Sequence, residues 1–130
     1  MHEFIVMGKP VSLQSNNRTL LQSWKAKVSQ AAVEGWPAEA SLITYSVQVI
    51  ITHYYESRPP DIDNIIKPIL DGLNLLIYID DRQITDLTVR RRKIRRVQTR
   101  SGIIAQALAK GQEFVHVKID TAPAITELSE

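Results

Sequence analysis

Residues 60–77 read PDIDNIIKPILDGLNLLI, and the fold turns on what this stretch becomes. Ile62, Ile65, Ile66, Ile69, Leu70, Leu73 and Ile77 recur at steps of three and four, the spacing that gives an α-helix a wide apolar face. The polar residues have an order of their own. Residues two apart point nearly opposite ways in a helix but share a side in extended chain, so Asp61 is expected to precede the helix. Pro59 and Pro60 each push the residue before them toward extended geometry. Asp63 is then the expected N-cap, and both carboxylates face one point. From Asp63 onward, Lys67, Asp71 and Asn74 follow at steps of four, four and three, forming a polar stripe beside the apolar one. Pro68 works against this pattern. At the fifth helical position it removes a backbone donor and disfavours helical geometry at Lys67, so a distorted first turn is expected.

Upstream, residues 42–54 are rich in Ile, Val, Thr and Tyr and partly alternate, which reads as a strand ending at Arg58-Pro59-Pro60. From Thr19, the apolar residues Leu20, Leu21, Trp24, Val28 and Ala31 have helical spacing, closed by Gly35 and Pro37. Residues 8–18 have the Gly, Pro, Ser and Asn content of a loop, and 3–7 a short strand. Downstream of an Asp80-Asp81 turn, 84–97 reads as a strand despite its charge, 102–110 as a short helix and 113–120 as an alternating strand, with a loose tail from 121. The whole, 1–130, is expected to be a single small α/β or α+β domain. It would have a sheet of about four strands packed by two main helices and one short one; the pattern leaves parallel and antiparallel pairing open.

The 130 residues contain no cysteine. That excludes a disulfide-built scaffold, a cysteine zinc site and thiol chemistry, and leans toward a cytoplasmic location. Residues 1–9 lack a basic region followed by an apolar run, and no segment approaches the roughly 20 apolar residues of a membrane span. Net charge is only +2, but the charges are segregated. Six of the seven Asp residues lie between 61 and 86, and 8 of the 16 Lys and Arg lie between 82 and 100. An acidic pocket beside a basic rim suits a cation next to a polyanion.

Two or three converging carboxylates repel one another unless a cation sits among them, and such hard oxygen ligands suit Mg²⁺ or Mn²⁺. Asp81, with Asp80 as the alternative, is placed to add a third ligand to Asp61 and Asp63. A metal held there lowers the pKa of a bound water and offsets charge building on a phosphoryl oxygen, while Lys67 adds a fixed positive charge. This is the chemistry of phosphodiester hydrolysis. Each feature also has a plain structural reading: a helix cap, an i,i+4 ion pair and an ordinary turn. Arg90-Arg91-Arg92-Lys93-Ile94-Arg95-Arg96 carries no aromatic for base stacking and reads as a phosphate track, against the plain alternative of a solvated edge strand. Arg18, Lys25 and Lys27 either extend that surface or line a solvated helix face. His2, His53 and His116 are scattered and read as structural, and Trp24 and Trp36 as core or core margin. Neither a Gly-rich phosphate loop nor a Ser-His-Asp order is present.

At these residues the chain resembles the RusA family of Holliday junction resolvases. Asp61-Ile-Asp63-Asn64-Ile-Ile-Lys67, then Leu70-Asp71-Gly-Leu73, then Asp80-Asp81-Arg-Gln83 are similar to that family's signature in order, interval and residue type. Weaker similarity at Lys9-Pro10-Val11-Ser12, Asn16-Asn17-Arg18 and Asp86 extends the resemblance over roughly positions 5 to 97. Pro68 and the basic run at 90–96 lie outside the signature. The resemblance implies a homodimeric, Mg²⁺-dependent nuclease that nicks two opposed strands of a four-way DNA junction. By position it implies Asp61, Asp63 and Asp81 as metal ligands, Lys67 as a base-positioning or charge-stabilising lysine, and Asp71 and Asp80 as supporting acids. A subunit with one site needs a second copy to make paired nicks. DNA contacts are expected from Arg18, Arg90, Arg91, Arg92, Lys93, Arg95 and Arg96. The competing expectation is a non-catalytic nucleic-acid-binding protein that uses the basic strand at 90–96.

Overall fold

The computed structural model describes residues 1–36, 41–74, 76–97, 99 and 102–124. Four strands and three helices follow in the order β1 (His2–Met7), α1 (Arg18–Val33), β2 (Val47–Tyr55), α2 (Ile62–Leu73), β3 (Ile84–Lys93), α3 (Gly102–Leu108) and β4 (Phe114–Thr121). Short 3₁₀ turns at Asp81–Gln83 and Ile94–Arg96 bracket β3. The sheet order is β1-β4-β2-β3. β4 pairs antiparallel with both β1 and β2, while β2 and β3 are parallel with α2 as their crossover. The sheet is therefore mixed, and the fold is α+β.

Strand alternation sorts the side chains into two cores. Phe4 and Val6, Val47, Val49 and Ile51, and Val115, Val117 and Ile119 face α1 and α2, closing on Trp24, Val28, Ile65, Ile69 and Leu73. On the opposite face Ile5, Met7, Tyr54 and Phe114 meet α3 through Ala107, Ile104 and Leu108. The Tyr54 and Phe114 rings stack there, with centroids 4.6 Å apart. Trp24 is core and Trp36 lies at its margin.

The histidines are structural. His2 Nε2 lies 2.7 Å from the Ala32 carbonyl, His116 pairs with Glu3 at 2.9 Å and His53 with Glu113 at 2.8 Å. Burial holds the His53 pKa below the ordinary 6.5 despite the opposing pull of Glu113.

Several boundaries differ from the sequence expectation, each for a physical reason. Asn17, not a residue at 18 or 19, caps α1 by accepting the Leu20 amide at 2.9 Å. β2 begins only at Val47, because Ile43 is taken up in an isolated bridge to Tyr78. α2 stops at Leu73 rather than running on to Ile77: Asn74 turns extended, and Ile77 is buried instead in a turn and Tyr78 in a bridge. Periodicity registered their burial but not their backbone. The strand expected over 84–97 ends at Lys93, so Arg95 and Arg96 lie in a 3₁₀ turn. Thr121 belongs to β4 and the Ala122 amide bonds the Ser46 carbonyl at 3.0 Å, so the end of the chain is tied in at least that far; the rest of the expected tail, 125–130, lies outside the described residues.

α1 and α2 cross at Gly72. Ser29 Oγ donates to the Gly72 carbonyl at 2.7 Å, and a Cβ added at Gly72 would sit 2.9 Å from Val28 and 3.0 Å from the Lys25 carbonyl. Two of those neighbours are rigid. Gly72→Ala is therefore expected to destabilise the chain by about 1–3 kcal/mol through overpacking, read as a lower urea midpoint. An unchanged midpoint would mean that the helices can separate at no cost.

Candidate active site

α2 begins two residues earlier than expected. Asp61, not Asp63, holds the N-cap position, with extended geometry (φ −59°, ψ 143°) and no side-chain capping bond; Asp63 lies in the first turn. The first turn closes there because the Asn64 amide donates to the Asp61 carbonyl at 3.0 Å, which leaves the Asp61 amide as one of the orphan donors of a helix start. Both carboxylates are exposed. Negative charge near the positive end of the helix dipole is favourable.

The proline inside the helix does not break it. Pro68 has no N–H for the Asn64 carbonyl four residues back, and that carbonyl instead accepts the Leu13 amide at 2.8 Å. The expected distortion of the first turn is thus replaced by a docking contact, with the loop before α1 held against the turn that carries Asp61 and Asp63.

One turn on, Lys67 Nζ donates to Asp71 Oδ1 at 2.8 Å, and Lys25 from α1 reaches Asp71 Oδ2 at 3.3 Å. Burial alone would raise the Asp71 pKa, but the two ammonium groups outweigh it and hold the carboxyl below its usual range. Lys67 is correspondingly raised, first by its hydrogen bond to Asp71 and further by the charges of Asp71 and Asp81. It is a fixed cation at any physiological pH, which suits charge stabilisation better than proton abstraction.

Asp80 and Asp81 have different surroundings. Asp80 caps the 3₁₀ turn Asp81–Gln83, accepting the Arg82 amide at 2.9 Å, while Gln83 Oε1 accepts the amides of Ile79 and Asp80. Gln83 Nε2 donates to the carbonyls of Ile43 and Tyr45, pinning the turn to the chain before β2. Asp81 is exposed, with its charge felt by Lys67 and by Tyr78. The Tyr78 hydroxyl is buried without a well-formed hydrogen bond. Burial, and after it the Asp81 charge, pushes its ionisation well above the ordinary phenol range, leaving a protonated donor beside that carboxylate.

The structure thus gathers Lys67, Asp71, Lys25, Asp81 and Tyr78 along the middle of α2. Asp61 and Asp63 stand at its start. No three carboxylate or histidine groups among the described residues lie close enough together to hold a metal ion as they stand. The donors nevertheless fit a hard divalent cation in kind. Asp61 and Asp63 have no side-chain partner among the described residues, whereas Asp71, Asp80 and Asp86 are all engaged.

The basic run lies on β3, an edge strand exposed along most of its length. Alternation puts Arg90 and Arg92 on the α3 face and Arg91 and Lys93 on the α1 and α2 face. Arg90 Nε is held by Thr52 Oγ1 at 3.1 Å, and Arg92 folds back on the Arg91 carbonyl. Lys93 pairs with Tyr55, the last residue of β2, and α2 starts seven residues later. The basic end of β3 therefore lies at the end of the sheet from which α2 departs. Arg18 opens α1 and is exposed, on the loop that docks against Asn64.

Sequence reading missed Lys25 as a partner of Asp71 and missed Tyr78 altogether. Gly72 was the available signal for the first, since a glycine in a helix marks a close approach. Tyr78 was hidden in an apolar run.

Among the described residues no helix is long and apolar enough to cross a membrane. Compared with known proteins, the chain finds no match among curated sequences. The family model described as endodeoxyribonuclease RusA matches residues 14–104, well over half of the chain and all of the elements from α1 to β3.

Proposed function

Because this chain belongs to the RusA family of endodeoxyribonucleases, we propose that it is a metal-dependent, structure-selective nuclease that resolves four-way DNA junctions by paired symmetric nicks, acting as a homodimer. One observation carries the reading. Of the clustered aspartates, Asp61, Asp63 and Asp81 are the exposed ones, and the first two stand, with no side-chain partner among the described residues, at the start of a helix whose next turn presents a locked ammonium. Asp61, Asp63 and Asp81 would hold Mg²⁺, or Mn²⁺ in its place. Such an ion supplies Lewis-acid stabilisation of a phosphoryl oxygen and a more acidic water.

The chain's own residues do the rest. Lys67, fixed by Asp71, which Lys25 also holds, presents positive charge where negative charge grows on the phosphate during hydrolysis. Gln83 fixes the turn that carries Asp81, and Tyr78 is buried beside it. The basic end of β3 grips the DNA backbone at the same end of the sheet, a contact that gives affinity without sequence information.

A cleavage assay tests this on a synthetic four-way junction, a flap and a plain duplex at equal salt, with and without Mg²⁺. Symmetric nicks on the junction that require the metal are expected, with a solution mass of two chains per junction. The dispersal of the three acids favours one rival, a protein that binds nucleic acid without cutting it. Salt-sensitive binding with no cleavage in Mg²⁺ or Mn²⁺ would establish that rival.

A further inference from the structure

Tyr78 is fully buried (0% exposed) in the core that α1 and α2 close over the sheet, yet its hydroxyl has no well-formed hydrogen bond. A phenylalanine would bury an equivalent ring without leaving a polar group unsatisfied, which is the costly outcome for a hydroxyl taken out of water. Packing alone gives no reason for the oxygen. We propose that Tyr78 is a positioning residue: its hydroxyl donates to one carboxylate oxygen of Asp81 and so holds the other oxygen toward the cation shared with Asp61 and Asp63. The proposal rests on the nuclease reading and deepens it, because it names what aims the third ligand.

Placement is the first argument, and Ile43 fastens both partners. Its backbone bridges Tyr78 and its amide donates to the Ile77 carbonyl at 2.8 Å. Its carbonyl accepts Gln83 Nε2 at 2.7 Å, from within the turn that carries Asp81. Gln83 Oε1 closes the same turn onto the amides of Ile79 and Asp80, the two residues between Tyr78 and Asp81. The ring and the turn are thus held in one backbone frame. What is left to adjust is the exposed Asp81 side chain and the rotation of the hydroxyl.

Chemistry is the second argument. Two carboxylates lie near enough for the hydroxyl to feel their charge, Asp81 first and Asp71 after it. Asp71 is already committed, to Lys67 at 2.8 Å and to Lys25 at 3.3 Å. Asp81 is not: among the described residues neither an ion pair nor a well-formed hydrogen bond holds its carboxylate. The free donor and the free acceptor are therefore each other's natural partners. A neutral donor is also the right kind. An ammonium in its place would offset the charge that draws a cation in, whereas a hydroxyl orients one oxygen and leaves the lone pairs of the other for the metal. Donors of this sort behind a ligating carboxylate orient it and carry a 10- to 100-fold share of metal affinity.

Tyr78→Phe removes the hydroxyl and keeps the ring, and it tests the proposal in two ways. The urea midpoint of the metal-free chain is expected to hold or rise, because no formed bond is lost. Mn²⁺ affinity, read from the electron paramagnetic resonance signal of the free ion as Mn²⁺ is titrated into the chain, is expected to weaken by about 10-fold. In junction cleavage the Mg²⁺ concentration that gives half the maximal rate should rise by the same factor, and excess Mg²⁺ should recover most of the loss. A double variant separates positioning from packing. Once Asp81→Asn has removed the ligand, adding Tyr78→Phe should cost no further Mn²⁺ affinity; a further loss would show that the hydroxyl acts through the fold, and would overturn the proposal. Unchanged Mn²⁺ affinity in Tyr78→Phe alone would overturn it too and leave the nuclease reading standing. If the unaltered chain neither takes up Mn²⁺ nor cuts junctions, both fall.

Discussion

On the proposed ligand role, Asp63→Asn is expected to lower junction cleavage by ~10³-fold or more, because loss of a direct ligand should exceed the 10- to 100-fold cost typical of outer-shell partners. Junction binding should hold or tighten. The substitution is isosteric and the side chain is exposed, with no hydrogen bond or ion pair among the described residues to lose. The folded state gives up only the interaction of a carboxylate with the helix start, about 0.3–1 kcal/mol. Meanwhile a negative charge is removed from a surface proposed to face phosphate. Gel-shift affinity and single-turnover cleavage separate the two effects. Loss of binding together with activity would show that Asp63 supports the fold or the DNA surface and not the reaction.

The second large effect belongs to β3. Neutralising two arginines in Arg91→Gln/Arg95→Gln should flatten the plot of log affinity against log salt by about 1.8, since each lost phosphate contact removes about 0.9 from the slope. Affinity at physiological salt should fall by about 10-fold or more for all junction sequences alike, because such contacts read no bases. Arg91 and Arg95 are the better pair for this test than Arg90 and Arg92, which are partly committed to Thr52 and to the Arg91 carbonyl. Both residues are exposed, so stability should not move. An unaltered slope would place the DNA elsewhere on the molecule, and the exposed arginines would then serve only to keep an edge strand from pairing with a neighbour.

How much of this was legible in the sequence depends on how local the cause was. The four strands, the two long helices and the short one announce themselves through periods of two and of about 3.6, because burial on one face repeats along the chain. The acid pair, Lys67 and the Asp80-Asp81 turn could be singled out by spacing alone. The helix start was displaced by two residues because Asp61 and Asp63 are both good caps, and the first turn closes on the Asp61 carbonyl. The early end of α2 was hidden because Ile77 in its turn and Tyr78 in its bridge are as buried as they would be in a helix. Mixed strand pairing, the reach of Lys25 to Asp71 and the orphan hydroxyl of Tyr78 depend on contacts between segments far apart in sequence. No window of neighbouring residues contains them.

Pro68 reads as a defect when its helix is considered in isolation, yet the missing amide turns the Asn64 carbonyl into a socket that only a distant part of the chain can fill. An alanine there would repair the helix and give Leu13 a competitor for its acceptor. Local regularity and long-range registration are traded against each other at this one carbonyl, so improving the first by design would amount to unfastening the second.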